Sequence, residues 1–146
     1  MRIYLDVCAI QRPFDDAIQQ QILDETEALH KIVKLIEQNA IALVGSFALE
    51  YENAANEDEG KREFTEMVLL LARERVKPSP AVERRTSTFK ALGMDTWDAT
   101  HLAAAVEAGV DFFCTCDKKL LRRARKADTG LTRVVTLLEL IEEVER

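Results

Sequence analysis

Two rhythms of apolar residues alternate along the chain. Short, nearly unbroken runs at residues 3–7, 41–44 and 111–116 predict buried β-strands, since such runs fit a sheet covered on both faces. A shorter run at 133–135 predicts another strand, and 75–77, halted by Pro78, predicts an edge strand, where proline is tolerated. Between these runs apolar residues recur at three- and four-residue intervals. Ile18, Ile22, Leu29, Ile32, Val33 and Ile36 predict one long amphipathic helix, entered from a loop at 12–16 whose Asp15 or Asp16 can cap it. Phe64, Met67, Val68 and Leu71 mark one face of a helix over 61–73. Further helices are predicted over 81–92, from a cap at Asp95 or Thr96 to Gly109, from Asp117 onward, and over 137–144. Ser46, a good N-cap, opens a short helix through Tyr51 and Glu52.

Strands alternating with helices predict a central parallel sheet with helices on both faces. The right-handed rule for such crossovers makes this a doubly wound α/β/α sandwich. With 146 residues, no internal repeat and no linker-like stretch, residues 1–146 are expected to form one domain. No apolar run approaches the length of a bilayer span, so no membrane association is expected. The opening Met1-Arg2-Ile3-Tyr4-Leu5-Asp6 meets an acid too early for a secretory signal, and a cytoplasmic location is the expectation. Cys8, Cys114 and Cys116 agree, because an odd and sparse set makes a poor disulfide framework. They also fall short of the four soft ligands of a structural zinc site, and Cys114 reads as a small hydrophobe in a strand.

The net charge of −6 does not advertise nucleic-acid binding. The basic residues are gathered, however. Lys118, Lys119, Arg122, Arg123, Arg125 and Lys126 form one dense run, and Arg84, Arg85 and Lys90 a looser one. Such a run is most often a solvated helix face, so it carries weight only beside other chemistry.

That chemistry lies in the acids. Asp6 ends the first strand, Glu50 falls in the first turn of the helix after the second, Asp98 opens the helix leading to the third clear strand, and Asp117 follows that strand directly. Helices in this fold run antiparallel to their strands, so all four belong to the carboxyl edge of the sheet, where open α/β sheets bind ligands. Each alone has a plainer reading: Asp117 and Asp98 suit a cap or a helix dipole, Glu50 a first turn, Asp6 a tight turn. Together, carboxylates converging on one crevice repel one another unless protonated or bridged by a cation. A hard divalent ion with oxygen ligands relieves that repulsion. His30 and His101 read as surface or packing histidines rather than general bases.

At this point the residues resemble a known family. Ile3-Tyr4-Leu5-Asp6, Ser46-Phe47-Ala48-Leu49-Glu50, Asp98-Ala99-Thr100-His101-Leu102-Ala103-Ala104-Ala105 and Thr115-Cys116-Asp117-Lys118-Lys119-Leu120 are similar, in order and spacing, to the four motifs of PIN domains. The resemblance spans nearly the whole chain. It implies a metal-dependent ribonuclease of the kind seen in VapC-type toxins of bacterial toxin–antitoxin pairs. It further implies Mg2+ or Mn2+ held by Asp6, Glu50, Asp98 and Asp117, with Thr115 as a supporting hydroxyl. RNA would be the substrate, an antitoxin protein a partner, and a homodimer the usual assembly. Lys118, Lys119 and Arg122 would contact the phosphate backbone. Two positions after the first acid many family members carry a small polar residue; here it is Cys8, a weak donor. That departure leaves open a second reading, a catalytically weakened RNA-binding or regulatory domain on the same scaffold. A phosphoacceptor receiver domain, also doubly wound, would want adjacent acids after strand one, and Val7 and Cys8 stand there instead.

Overall fold

Ile3, Tyr4 and Leu5 are completely buried, as the central strand of a sheet covered on both faces requires. They form β1 (Arg2–Leu5) in a computed structural model that describes residues 1–146. The chain continues through α1 (Val7–Ile10), a 3₁₀ turn (Arg12–Phe14), α2 (Gln20–Glu37), β2 (Ala42–Ser46), α3 (Phe47–Ala54), α4 (Glu59–Leu69) and β3 (Glu74–Val76). It then adds α5 (Pro80–Ala91), α6 (Thr96–Ala108), β4 (Phe112–Cys114), α7 (Lys118–Arg125), β5 (Arg133–Val135) and α8 (Leu137–Glu145). The five strands are all parallel in the order β3-β2-β1-β4-β5. This is the α/β sandwich expected from the alternation of runs. No helix is long and apolar enough to cross a membrane.

The strand order has a direct consequence. The chain builds leftward from β1 to β3, then crosses back and builds rightward from β4 to β5. Strand order therefore reverses between β1 and β4, and a crevice opens there at the carboxyl ends of the strands. Register sets the depth: Leu5 pairs with Cys114, so Asp6 and Thr115 leave the sheet at the same level.

Several expectations are corrected locally. The first strand stops at Leu5 rather than Val7, because Asp6 accepts the Val7 N–H and turns the chain into α1. Neither Asp15 nor Asp16 caps α2. Asp15 pairs with Arg12 at 3.0 Å, Asp16 accepts the Ile18 N–H, and the helix begins behind Gln19 with no side-chain cap. Ile18 consequently lies outside the helix and is exposed, whereas Ile22, Leu29, Ile32 and Ile36 are buried. The helix expected over 61–73 begins earlier, where Asp58 caps it, and ends at Leu69; Met67 faces solvent rather than the core. Gly109 ends α6 in the left-handed conformation that its sequence position predicts.

Candidate active site

Asp6 is buried at the end of β1 and is tied on both oxygens. Oδ1 accepts the Val7 N–H at 2.9 Å, and Oδ2 accepts the Thr115 hydroxyl at 3.0 Å and the Cys8 thiol at 3.4 Å. Thr115 Oγ1 in turn accepts the Asp117 N–H at 3.1 Å, linking the first and last acids of the edge through one buried hydroxyl. Cys8 occupies the expected polar position with real, weak contacts: its sulfur also lies 3.3 Å from Thr115 Oγ1 and accepts the Cys116 N–H at 3.3 Å.

Asp98 stands in the first turn of α6, behind the Asp95 cap whose Oδ1 accepts the Asp98 N–H. Burial, then the charges of Asp95, Asp6 and Asp117, push its carboxyl up to about 7. Asp6 is shifted upward too, by burial first, with the neighbouring Glu52 adding to it and His101 opposing. Asp117 spends Oδ1 as the cap of α7, accepting from Lys119 and Leu120, so its capping role and its place in the cluster coexist. Asp6 and Asp117 stand near enough to Asp98 to act on its charge, but of these three acids only Asp6 belongs to the group whose ligand atoms lie within 4.8 Å of one another.

Glu50 is not among them. Its side chain is half exposed and faces Arg75 at 3.4 Å. Two residues on, Glu52 points the other way and meets His101 Nε2 at 3.2 Å. The reason is helical: at 3.6 residues per turn, positions 50 and 52 of α3 lie roughly 200° apart, so only one can face the crevice. The placement of Glu50 at the edge is corrected to Glu52 by that rotation. Both acids stand in the same short helix, so the sequence offers the pair without ranking them.

His101 is the residue that sequence reasoning missed. It is completely buried, three residues after Asp98 on the same face of α6. Its Nδ1 shares a 2.7 Å hydrogen bond with the Tyr4 hydroxyl, which is 2.6 Å from Ser46 Oγ. Its Nε2 lies 4.0 Å from Asp6 Oδ1. Burial alone would lower its pKa, yet the Glu52 hydrogen bond and the Asp6 charge outweigh it and the net shift is upward. Ligand atoms of Asp6, Glu52 and His101 all lie within 4.8 Å of one another.

The donor chemistry fits a divalent cation. Two carboxyls raised in pKa by burial and by one another are a site in which the fold crowds negative charge beyond what it can neutralise alone. Thiolate ligation is a poorer fit: Cys114 is sealed in β4, and Cys116, whose thiol donates to Glu25, is driven strongly toward the protonated form by its contact with Cys8 and by burial.

Beside the crevice the basic helix α7 divides into two sets. Arg125 is consumed by Glu139 at 2.7 Å and by the Val134 carbonyl, and Arg123 donates to the Gly93 carbonyl. Lys118, Lys119 and Arg122 are exposed and pair with no carboxylate. A surface hollow of about 460 Å³, lined in part by Arg84, Arg85 and Phe89, includes none of Asp6, Glu52, Asp98 and Asp117 in its lining.

No family model matches the sequence, and no curated protein matches it either. The fold does have solved counterparts. The structure of VapBC2 from Rickettsia felis bound to a DNA fragment from its promoter superposes with a TM-score of 0.60 at 11% identity, covering 92% of this chain and 98% of that one. PAE2754 from Pyrobaculum aerophilum gives a TM-score of 0.56 at 15% identity, covering 99% of this chain and 90% of that one. The all-parallel sheet and these likenesses identify the fold as the PIN-domain α/β sandwich.

Proposed function

We infer that the chain is a metal-dependent ribonuclease hydrolysing RNA phosphodiester bonds, its 146 residues acting as one catalytic domain. The observation that carries this reading is the convergence of Asp6, Asp98 and Asp117, joined by Glu52 and His101, on the crevice where strand order reverses. Asp6, Asp98, Asp117 and Glu52 would hold Mg2+ or Mn2+, and Glu50 would take no direct part. When bound, such an ion acidifies a water and offsets charge on a phosphoryl oxygen. The protein's own work is positional. Thr115, Cys8 and the Val7 N–H fix the Asp6 carboxylate, while Asp117 is held by the start of α7. Lys118, Lys119 and Arg122, unpaired beside the crevice, would draw in the RNA backbone, overriding the net negative charge locally.

The VapBC2 likeness supports extending the proposal to the toxin of a toxin–antitoxin pair, with an antitoxin protein as partner; a homodimer is the assembly proposed with it. A labelled RNA pool incubated with Mn2+ tests the core of the reading. Cleavage by the wild type and none by a folded Asp98→Asn variant is expected; equal cleavage by both would remove the hypothesis. Cys8, a weak thiol donor to Asp6 at the position where a small polar residue is expected, favours the second reading, a weakened RNA-binding domain. RNA binding without measurable Mn2+ affinity would select it.

A further inference from the structure

The geometry points to a nitrogen ligand in this centre: His101 Nε2 joins Asp6 and Glu52 on the same ion and gives the site a preference for first-row transition cations over Mg2+. The inference rests on the metal-centre reading above and specifies its donor set.

Three observations carry it. Ligands of one small divalent ion lie roughly 2.0–2.2 Å from it, so they stand about 3–4 Å from one another. His101 Nε2 is 3.2 Å from Glu52 Oε1 and 4.0 Å from Asp6 Oδ1, within that range. The ring is also fixed. It is completely buried, with the Tyr4 ring edge-on to it at 6.0 Å and the Trp97 ring at 6.2 Å, so its position costs nothing to organise when an ion arrives.

The third observation is the partner of the other ring nitrogen. Ser46 Oγ accepts the Leu49 N–H as the cap of α3 and can also accept the Tyr4 O–H. The Tyr4 oxygen is then free to accept Nδ1–H from His101. That order of donors gives Nδ1 its proton, so the Nε2 position that meets Glu52 is the one an ion takes in place of a proton, the arrangement by which metal-binding histidines are held through their remote N–H. A fully oxygen-lined site suits Mg2+, whereas an imidazole donor raises affinity for Mn2+, Co2+ and Zn2+ relative to it.

Pulsed EPR of the full chain loaded with Mn2+ reads the nitrogen directly, and calorimetric titration with Mn2+, Co2+ and Mg2+ reads the preference. The wild type is expected to show ¹⁴N coupling to Mn2+ and to bind Mn2+ and Co2+ more tightly than Mg2+. In His101→Gln the coupling disappears and Mn2+ and Co2+ affinities fall by about 10–100-fold, with a much smaller change for Mg2+. Tyr4→Phe, which keeps the ring and removes its support, retains the coupling and loses affinity by a smaller factor. Mn2+ bound to the wild type without ¹⁴N coupling overturns the inference and leaves the ribonuclease reading standing. That spectrum decides the matter even if His101→Gln fails to fold. No binding of any of the three ions overturns both.

Discussion

The two ends of β1 solve opposite problems four residues apart. At the amino end Arg2 satisfies every nearby charge. Its guanidinium takes both oxygens of Glu74 at 2.7 and 3.0 Å and donates to the carbonyls of Ala108 and Gly109, while its backbone N–H binds Asp111. The Glu74 hydrogen bond raises Arg2 and lowers Glu74, each toward its charged form. At the carboxyl end the shifts run the other way, with Asp6 and Asp98 both raised toward the neutral acid. One edge is a closed electrostatic circuit that helps hold strands and helix in place. The other is left open: its crowded like charges cost stability, and the proposed cation would offset that cost.

The largest effect should follow from disturbing the open edge. Asp6→Asn keeps the shape of the side chain but removes charge at a buried acid of that edge. Manganese-dependent RNA cleavage is expected to fall by at least about 100-fold, the upper end of what even supporting residues of a metal site contribute. Glu74→Gln, at the closed edge, should leave cleavage at the wild-type rate. If both carboxylates matter equally to cleavage, the contrast between the edges is wrong.

A second test reads stability rather than activity. Asp98 titrates near 7 in the folded protein against about 3.9 in an unfolded chain, so between those values the folded state holds a proton that the unfolded state has lost. Stability of the metal-free protein therefore decreases as pH rises from 4 through 7 on the scale set by those two values. Asp6 and His101 are also shifted upward and act in the same direction. Asp98→Asn should flatten this slope and, at pH 8, stabilise the metal-free protein by about 1–3 kcal/mol after allowance for solvent at a half-buried carboxyl. Denaturant titrations at pH 5 and pH 8 would measure it. A variant less stable than wild type at pH 8 would mean that Asp98 is a structural acid after all.

RNA affinity should separate the edges by a smaller factor. Replacing Lys118 and Lys119 by alanine removes two unpaired charges beside the crevice and should lower the salt dependence of single-stranded RNA binding by about 0.7 per residue on the logarithmic slope. An unchanged slope would place the RNA path elsewhere.

How much of this was legible in sequence depends on which rule governed each residue. The parallel sandwich was readable because its strands are cut from short apolar runs bounded by charged residues, a local signal: the run expected over 111–116 holds β4 at Phe112–Cys114, and Val134 and Val135 are the buried part of β5. Asp6, Asp98 and Asp117 were readable because topology alone sends strand ends and helix starts to one edge. Glu50 and Glu52 were not distinguishable, since the choice depends on the rotation of α3, which Ser46 and the packing against α6 set together. His101 looked like a packing histidine because its burial is real; only the three-dimensional convergence of Tyr4, Glu52 and Asp6 around it shows that its nitrogens are engaged. Sequence similarity offered no shortcut, because the solved counterparts share only 11% and 15% of residues with it.

The smallest effect belongs to the closed edge, and it is the sharpest check on the comparison. Arg2→Lys retains the charge but loses the planar fork that engages both Glu74 oxygens while also reaching the carbonyl end of α6. Because both partners are substantially exposed, the expected loss is below about 1 kcal/mol and shrinks further in high salt. Mn2+ affinity should not change, even though the two edges share a helix. Arg2 holds the carboxyl end of α6, whereas Asp98 stands in its first turn, roughly 15 Å away, and His101 one turn further along, roughly 10 Å away, on an axis that rises 1.5 Å per residue. A rigid helix transmits position but not the loss of one fork at its far end. Should Arg2→Lys weaken Mn2+ binding as much as His101→Gln does, α6 would have to shift as a unit, and the two edges would be one coupled system rather than two independent ones.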